Sequence, residues 1–361
     1  MRYVLVGDGE SPHLLKWARA LAAHPEIELW AASSRGFAPG FEALLPPARR
    51  LALATSPKAA GGNFGLLREL PRFTRWLNSI DADWLHAHYL SSHGTLAWLA
   101  KRCFGIRAPL VGSAWGSDIL VAPARSAAMR WVTRRVLRAC VLTTSDSEVM
   151  AQRMRELGAW EVMVFPFGLE AMPAAPGDKL PWQFFANRGL EPIYDPGRVL
   201  RAFAAVAAWQ PEARLAVAND GSLRATMQAD AQALGLADRV QFLGRLDAEA
   251  QARHYARATW FLSLPQSDSV SVSVLEAMAQ GCIPLLSDLP ANRELVRDSD
   301  NGMLLPAGAL PSRAALESLL AHAPALAEAN RDWVQRHALF GPSVARYLQR
   351  LAELRPARSA P

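Results

Sequence analysis

Cysteine is nearly absent. Cys103, Cys140 and Cys282 are widely spaced, and no Cys-x-x-Cys occurs, so neither a disulfide framework nor a zinc ribbon is expected. A reducing cytoplasm is the expected compartment. No run of 18 or more apolar residues is present, which removes a transmembrane helix from consideration. The opening apolar run, YVLV, meets Gly7-Asp8-Gly9 too soon for a secretory signal and reads as a buried strand. Lysine is scarce, and none stands where a pyridoxal-dependent phosphorylase would need one. No Asp-x-Asp stands at a strand's carboxyl end, so no catalytic divalent metal is expected. No fixed-period repeat or low-complexity tract appears. Zinc-finger, KH and RRM signatures are missing too. The net charge of +6 and pI of about 9.6 therefore point to phosphate groups or acidic lipid, not nucleic acid, as the anionic partner.

What is present is an ordinary globular composition, 51% hydrophobic and 20% charged, over 361 residues, which suits two domains. Short apolar runs alternate with longer amphipathic ones. YVLV, PHLLKWARALAAHP and IELWAAS begin the series; DWLHAH, HGTLAWLAKRCFG, PLVGSA, a basic helix, VLTTS, another helix and VMVFP continue it. Such alternation implies a parallel sheet covered on both faces, an α/β class. Ser145 and Glu148 read as a capping box for a helix that Gly158 stops. Residues 170–181, EAMPAAPGDKLP, hold three prolines and a glycine and read as a linker. The alternation then restarts with WQFFANR and runs through RLAVANDG, VQFLG, WFLSLP and IPLLSD. The expected divisions are a Rossmann-like domain over 1–169, the linker 170–181, a second Rossmann-like domain over 182–340, and a helix and tail over 341–361 packing back on the first. The last seven residues, RPARSAP, are expected to fray. Ligands of open parallel sheets bind beyond the carboxyl ends of the strands, so a cleft between two such domains is the expected site.

The segment Ser267–Ser287, SDSVSVSVLEAMAQGCIPLLS, carries the most chemistry. A short helix is expected over Val274–Gln280, after Ser273 and before Gly281. Its free amides and positive end, near Ser271, Val272 and Ser273, suit a diphosphate. Glu276 can accept from the two hydroxyls of a ribose, and Asp268 from those of a sugar. Ser273 and Glu276 also fit a capping box, in which Glu276 only satisfies backbone amides.

The string of loop carboxylate, seven-residue gap and Leu-Glu-Ala-Met-Ala-x-Gly resembles the donor signature of the retaining glycosyltransferases of family 4, or group 1, with the GT-B fold. That signature is usually Glu-x7-Glu; Asp268 shortens its first member by a methylene. SPHLLKWARALAAHP, DADWLHAHY, GSAWGSDIL, VMVFPFGLE and VQFLGRL resemble further stretches of the family in the same order, with Trp115 where His is common. The resemblance implies two Rossmann-like domains facing across a cleft. It also implies transfer, with retention, from a nucleotide-diphosphate sugar to a glycan or lipid-linked acceptor bound by the first domain, as in envelope or exopolysaccharide synthesis. No cofactor or metal is implied. The alternative is a nucleotide-sugar-binding protein, or an epimerase, on the same fold.

On that resemblance Arg188, at the end of WQFFAN, holds the diphosphate, although the Lys that usually accompanies it is missing. Gly9, Ser117, Asp118 and Gly221 are placed near the donor, with Gly244 and Arg245 at the base. A tight turn also accounts for Gly7-Asp8-Gly9 and for Asp220-Gly221, and Asp118 equally fits a cap. His88 is expected to line the acceptor cleft. His86 and His88 are expected on opposite faces of their strand, which speaks against a metal site with His93. ARSAAMRWVTRRVLRA carries Arg125, Arg130, Arg134, Arg135 and Arg138 with no acid, and an apolar stripe of Ala128, Trp131, Val132, Val136 and Ala139. Residues 125–138 are read either as a contact with an anionic membrane or as a helix docked on its own sheet.

Overall fold

The computed structural model describes residues 1–55, 64–174 and 177–354. The expected fraying tail lies outside the described residues, as do two positions of the expected linker. The chain forms two compact units. One holds Met1–Phe165 together with the chain from Phe340 onward; the other is Pro166–Leu339. Residues 166–169, read from sequence as part of the first domain, thus belong to the second unit. The cause is local: Leu169 bridges to Leu339, and a Cβ on Gly168 would lie 1.7 Å from the carbonyl oxygen of Ala338.

The first unit is a seven-stranded parallel sheet: β1 Arg2–Gly9, β2 Glu28–Phe37, β3 Arg50–Ala52, β4 Trp84–His88, β5 Leu110–Ser113, β6 Cys140–Ser145 and β7 Val162–Val164. Their order across the sheet is β3-β2-β1-β4-β5-β6-β7. The second unit is six-stranded and parallel: β8 Leu180–Ala186, β9 Arg214–Ala218, β10 Val240–Gly244, β11 Ala258–Ser263, β12 Ile283–Ser287 and β13 Met303–Leu305, in the order β10-β9-β8-β11-β12-β13. In both sheets the order reverses beside the unit's first strand, where doubly wound folds place ligands.

The apolar runs reflect burial on two faces. Phe184 and Phe185 are adjacent in β8, so the pleat sends them to opposite sides. Both are fully buried: Phe184 packs against Phe203 and Trp260, Phe185 against Tyr255 and Phe261.

The helix after β6 runs Glu148–Glu156, and its cap is Ser147, whose Oγ accepts from the Met150 amide at 3.2 Å. Ser145, the expected cap, is still strand, and its hydroxyl donates to the Ser147 carbonyl at 2.8 Å. Gly158, with φ of 104°, stands just past the helix end. The helix Phe340–Leu354 packs on the first unit. Phe340 and Tyr347 set their rings edge-on to Trp17, and Arg350 forks onto Glu161 at 2.6 and 2.8 Å. That guanidinium pulls the Glu161 carboxyl below its usual range.

The basic helix Ala127–Ala139 docks through Thr133, Val136 and Leu137. The sequence stripe is therefore split: Val136 is buried, but Trp131 is 51% exposed and Ala128 is exposed. Thr133 can take a core position because its hydroxyl is consumed by the Met129 carbonyl one turn back, at 2.9 Å. Among the described residues no helix is long and apolar enough to cross a membrane.

Candidate donor site in the second unit

The chain emerges from β8 at Asn187 and Arg188, beside β11, the strand across the switch point. From β11 it passes through Pro265–Val270 into the helix Val272–Ala279. Arg188, Asp268 and Ser271 therefore converge. The Arg188 guanidinium donates to Asp268 Oδ2 at 2.7 Å and to the Ser271 hydroxyl, and lies 4.5 Å over the ring of Tyr194. Its Nε is buried and has no partner among the described residues. Arg188 and Asp268 are thus one mostly buried pair, their side chains 17% and 19% exposed, not two separate ligand-gripping groups as the sequence reading had them. Burial pushes the Asp268 carboxyl up, and Arg188 opposes that shift.

The helix starts two residues earlier than expected. Ser271 is its N-cap by backbone geometry, but its side chain makes no capping bond because the hydroxyl serves Arg188. The first amides of the helix are therefore not capped by the Ser271 side chain, and they lie beside a guanidinium. The shift also removes the capping-box reading of Glu276. With Ser271 at the cap, the third helical position is Val274, and Glu276 lies in the second turn. Its Oε2 accepts from the Tyr255 hydroxyl at 3.0 Å. Glu276 and Tyr255 line a cavity of about 390 Å³ with Leu169, Met172, Gln251 and Gln280.

Gly221 and Gly244 need no ligand to explain them. A Cβ on Gly221 would lie 2.4 Å from the Leu190 carbonyl oxygen, and Gly244 has φ of 71°. Arg245 follows Gly244 in an exposed position. Tyr194, Tyr255 and Asn187 were missed in the sequence. Asn187 carried a signal, its place at a strand's carboxyl end; the tyrosines carried none, since only the fold brings them in.

In the first unit, Gly9 is packed internally: a Cβ would lie 2.6 Å from the Gly36 carbonyl oxygen, and its amide donates to Ser33 Oγ at 2.8 Å. Asp118 is fully buried and accepts the amides of Leu90 at 2.8 Å and Trp115 at 2.9 Å. It is a loop brace and cannot meet a sugar directly. Ser117, beside it, is half-buried and opens the wide turn Ser117–Val121.

The histidines also differ from expectation. His86 and His88 lie on the same face of β4, their ring centroids 4.3 Å apart, because the pleat returns every second side chain to one side. His86 joins Tyr3 Oη at 2.7 Å and Ser113 Oγ at 2.7 Å. His88 is 2% exposed, which rules out the open cleft-lining position expected of it. The Trp115 indole donates to His88 Nδ1 at 3.3 Å, so the His88 proton is on Nε2. That N–H has no partner among the described residues. Burial lowers His86 to about 3 and His93 to about 4, and drives His88 well below its ordinary value with help from the neighbouring imidazoles. His88 is therefore a neutral donor, not a base. Among the described residues, no three His, Cys, Asp or Glu are placed to hold a metal.

Sequence comparison matches residues 8–168 to the family described as "Glycosyl transferase 4-like domain" and residues 181–336 to "Glycosyl transferases group 1". N-acetyl-alpha-D-glucosaminyl L-malate synthase of Bacillus anthracis is 24% identical over 63% of this chain and 62% of its own length. Phosphatidyl-myo-inositol mannosyltransferase of Mycobacterium leprae is 26% identical over 66% of this chain and 63% of its own. The match thus spans under two thirds of either relative. The structure of Anabaena Alr3699/HepE in complex with UDP and glucose superposes with a TM-score of 0.74 at 16% identity, covering 96% of this chain and 99% of that one. Two parallel-sheet Rossmann-like units and two family matches, one in each half of the chain, make this chain a member of the group 1 glycosyltransferases, with the GT-B fold.

Proposed function

We propose that this protein is a retaining glycosyltransferase that moves a hexosyl group from a nucleoside-diphosphate sugar to a hydroxyl of a glycan or lipid-linked acceptor in cell-envelope polysaccharide synthesis. The observation that carries the reading is the convergence at the ends of β8 and β11. Arg188 is fixed by Asp268, Ser271 and Tyr194 next to a helix end whose side-chain cap is missing, with Glu276 facing a nucleoside-sized cavity. The diphosphate sits against Arg188 and the amides of Val272 and Ser273, which stabilise the charge it gains as the glycosidic bond breaks. Glu276 accepts from the ribose hydroxyls. Asp268 positions Arg188, and the departing phosphate takes the acceptor's proton. The reading needs no metal or cofactor. The bound UDP and glucose of the Anabaena protein are in keeping with a nucleotide-sugar donor. The relative named as a phosphatidyl-myo-inositol mannosyltransferase is in keeping with a lipid-linked acceptor.

A contact with the cytoplasmic face of an anionic membrane belongs to the same proposal. It is supported by the exposed Trp131, with Arg135 5.2 Å over its ring, and by Arg130, Arg134 and Arg138 exposed on the same helix.

The first test is a thermal-shift screen with UDP-, GDP- and ADP-sugars at millimolar levels. One class is expected to raise the melting temperature. If none does so, the donor site is wrongly assigned.

A further inference from the structure

Glu276 does not stand alone. Asn187 is 7% exposed, and its Nδ2 donates to Gln251 Oε1 at 2.8 Å and to Tyr255 Oη at 2.7 Å. Tyr255 is 3% exposed; its hydroxyl faces Glu276 Oε2 at 3.0 Å and the Ser273 carbonyl at 3.2 Å. A phenol has one proton to give, and an ionised carboxylate can only accept. The proton therefore goes to Glu276, the nearer and charged acceptor. Burial and the neighbouring carboxylate both push the phenol's pKa up, so it stays a donor. Since Tyr255 gives its proton to Glu276, Asn187 must turn its amide nitrogen toward the tyrosine. That orientation leaves Asn187 Oδ1 buried without a partner among the described residues. The reverse orientation would let Asn187 Oδ1 accept from Tyr255 and would take the donor away from Glu276. A buried acceptor left unpaired next to a binding residue marks a constraint set by function more than by folding.

We propose that Tyr255, polarised by Asn187, is the positioning residue that fixes the Glu276 carboxylate for the ribose diol, and that it sets the preference for ribonucleotide over deoxyribonucleotide donors. Asn187 directly precedes Arg188 in the chain. The segment that carries the phosphate-binding guanidinium therefore also anchors the ribose-binding carboxylate, so that both ends of the nucleoside diphosphate are placed by one stretch of backbone.

This inference rests on the donor-site reading, and its test separates the two. Binding of UDP, GDP and ADP, and of their 2′-deoxy and 3′-deoxy counterparts, is measured by calorimetry on the full chain for the wild type, Tyr255→Phe and Asn187→Asp. The wild type is expected to bind one ribonucleotide on the order of tenfold more tightly than its deoxy forms, the worth of one charge-assisted hydrogen bond. In Tyr255→Phe that ratio should fall toward one, with a similar loss of ribonucleotide affinity and an unchanged circular-dichroism spectrum. A merely structural tyrosine would weaken ribo and deoxy forms alike and leave the ratio intact. Asn187→Asp, which cannot donate, should reproduce the loss and serves if the phenylalanine variant does not fold. A variant that discriminates as the wild type does overturns the inference while leaving the donor site standing. So does a wild type that binds ribo and deoxy forms equally. A wild type that binds none of the nucleotides overturns both.

Discussion

Acidification from neutral pH to pH 5 should destabilise the first unit, with His86 and His93, which fold only as neutral imidazoles, accounting for about 4 kcal/mol. His86 is enclosed by Tyr3, Trp17, Ser113, His88 and Tyr347, and His93 bonds the His88 carbonyl at 2.8 Å. Burial takes His86 down to about 3 and His93 to about 4, against 6.5 for an ordinary histidine. A depressed folded value means that above pH 6.5 both states are neutral and the full stability is present. Below 6.5 the unfolded chain binds protons that the fold refuses, and stability falls by about 1.4 kcal/mol per pH unit per histidine until the folded groups titrate. Over the interval from 6.5 to 5, two histidines lose about 4 kcal/mol, and His88, shifted in the same direction, adds to the loss. Asp118 acts in the opposite sense, since burial raises its carboxyl and protonation relieves it. The assay is urea unfolding at pH 7.5, 6.5, 5.5 and 5, followed by circular dichroism. With an m-value of about 2 kcal/mol per molar, the midpoint of the first unit should drop by roughly 2 M. Midpoints that stay level from pH 6.5 to 5, or imidazole resonances of His86 and His93 that titrate near 6.5, would refute the reasoning.

Arg188→Ala should lower kcat/KM for the donor about a hundredfold; Arg188→Lys should recover only part of it, since an ammonium lacks the fork that meets Asp268 and Ser271 together. Steady-state kinetics with the stabilising sugar nucleotide checks both. Glu276→Ala should abolish nucleotide binding in calorimetry while the melting temperature stays within a few degrees, because the side chain is half-buried and caps no helix. Replacing Arg130, Arg134 and Arg135 by Gln should weaken sedimentation with anionic vesicles by about 1 kcal/mol per residue, with no change on zwitterionic vesicles and a smaller effect at high salt.

The architecture was legible because parallel sheets buried on both faces write themselves as apolar runs: VLTTS and WQFFA needed no partner to be read as strands. Boundaries were less legible where several residues compete for one role. In Ser269-Val-Ser271-Val-Ser273, each serine has the chemistry of a cap, and the choice of Ser271 is fixed by the backbone of a helix beginning at Val272. Ser145 and Ser147 pose the same ambiguity, decided by how far β6 extends. The histidines are a different case. Two residues apart on a strand means one face, and the expectation of opposite faces ran against the period of the pleat. Glycines at strand ends were ambiguous in principle. Gly9 and Gly221 are each required by a neighbouring backbone carbonyl, which a sequence cannot distinguish from a ligand's approach.

The absent lysine beside Arg188 illustrates why the remainder was out of reach. Read linearly, a lone arginine is a poor diphosphate grip. In the fold it is neither lone nor loose: one nitrogen holds Asp268, another holds Ser271, and the plane rests on Tyr194, so little rotational freedom is left to lose on binding. A guanidinium has five N–H donors, and the two bonds to Asp268 and Ser271 leave three, one of them the buried Nε–H, which has no partner among the described residues. On the proposed reading the negative charge of Asp268 is offset by the amides of the first helical turn, which Ser271 does not cap and which add their own positive end. The partners that hold Arg188 lie 6, 80 and 83 residues away in sequence, which is why composition and spacing registered only the loss of the lysine.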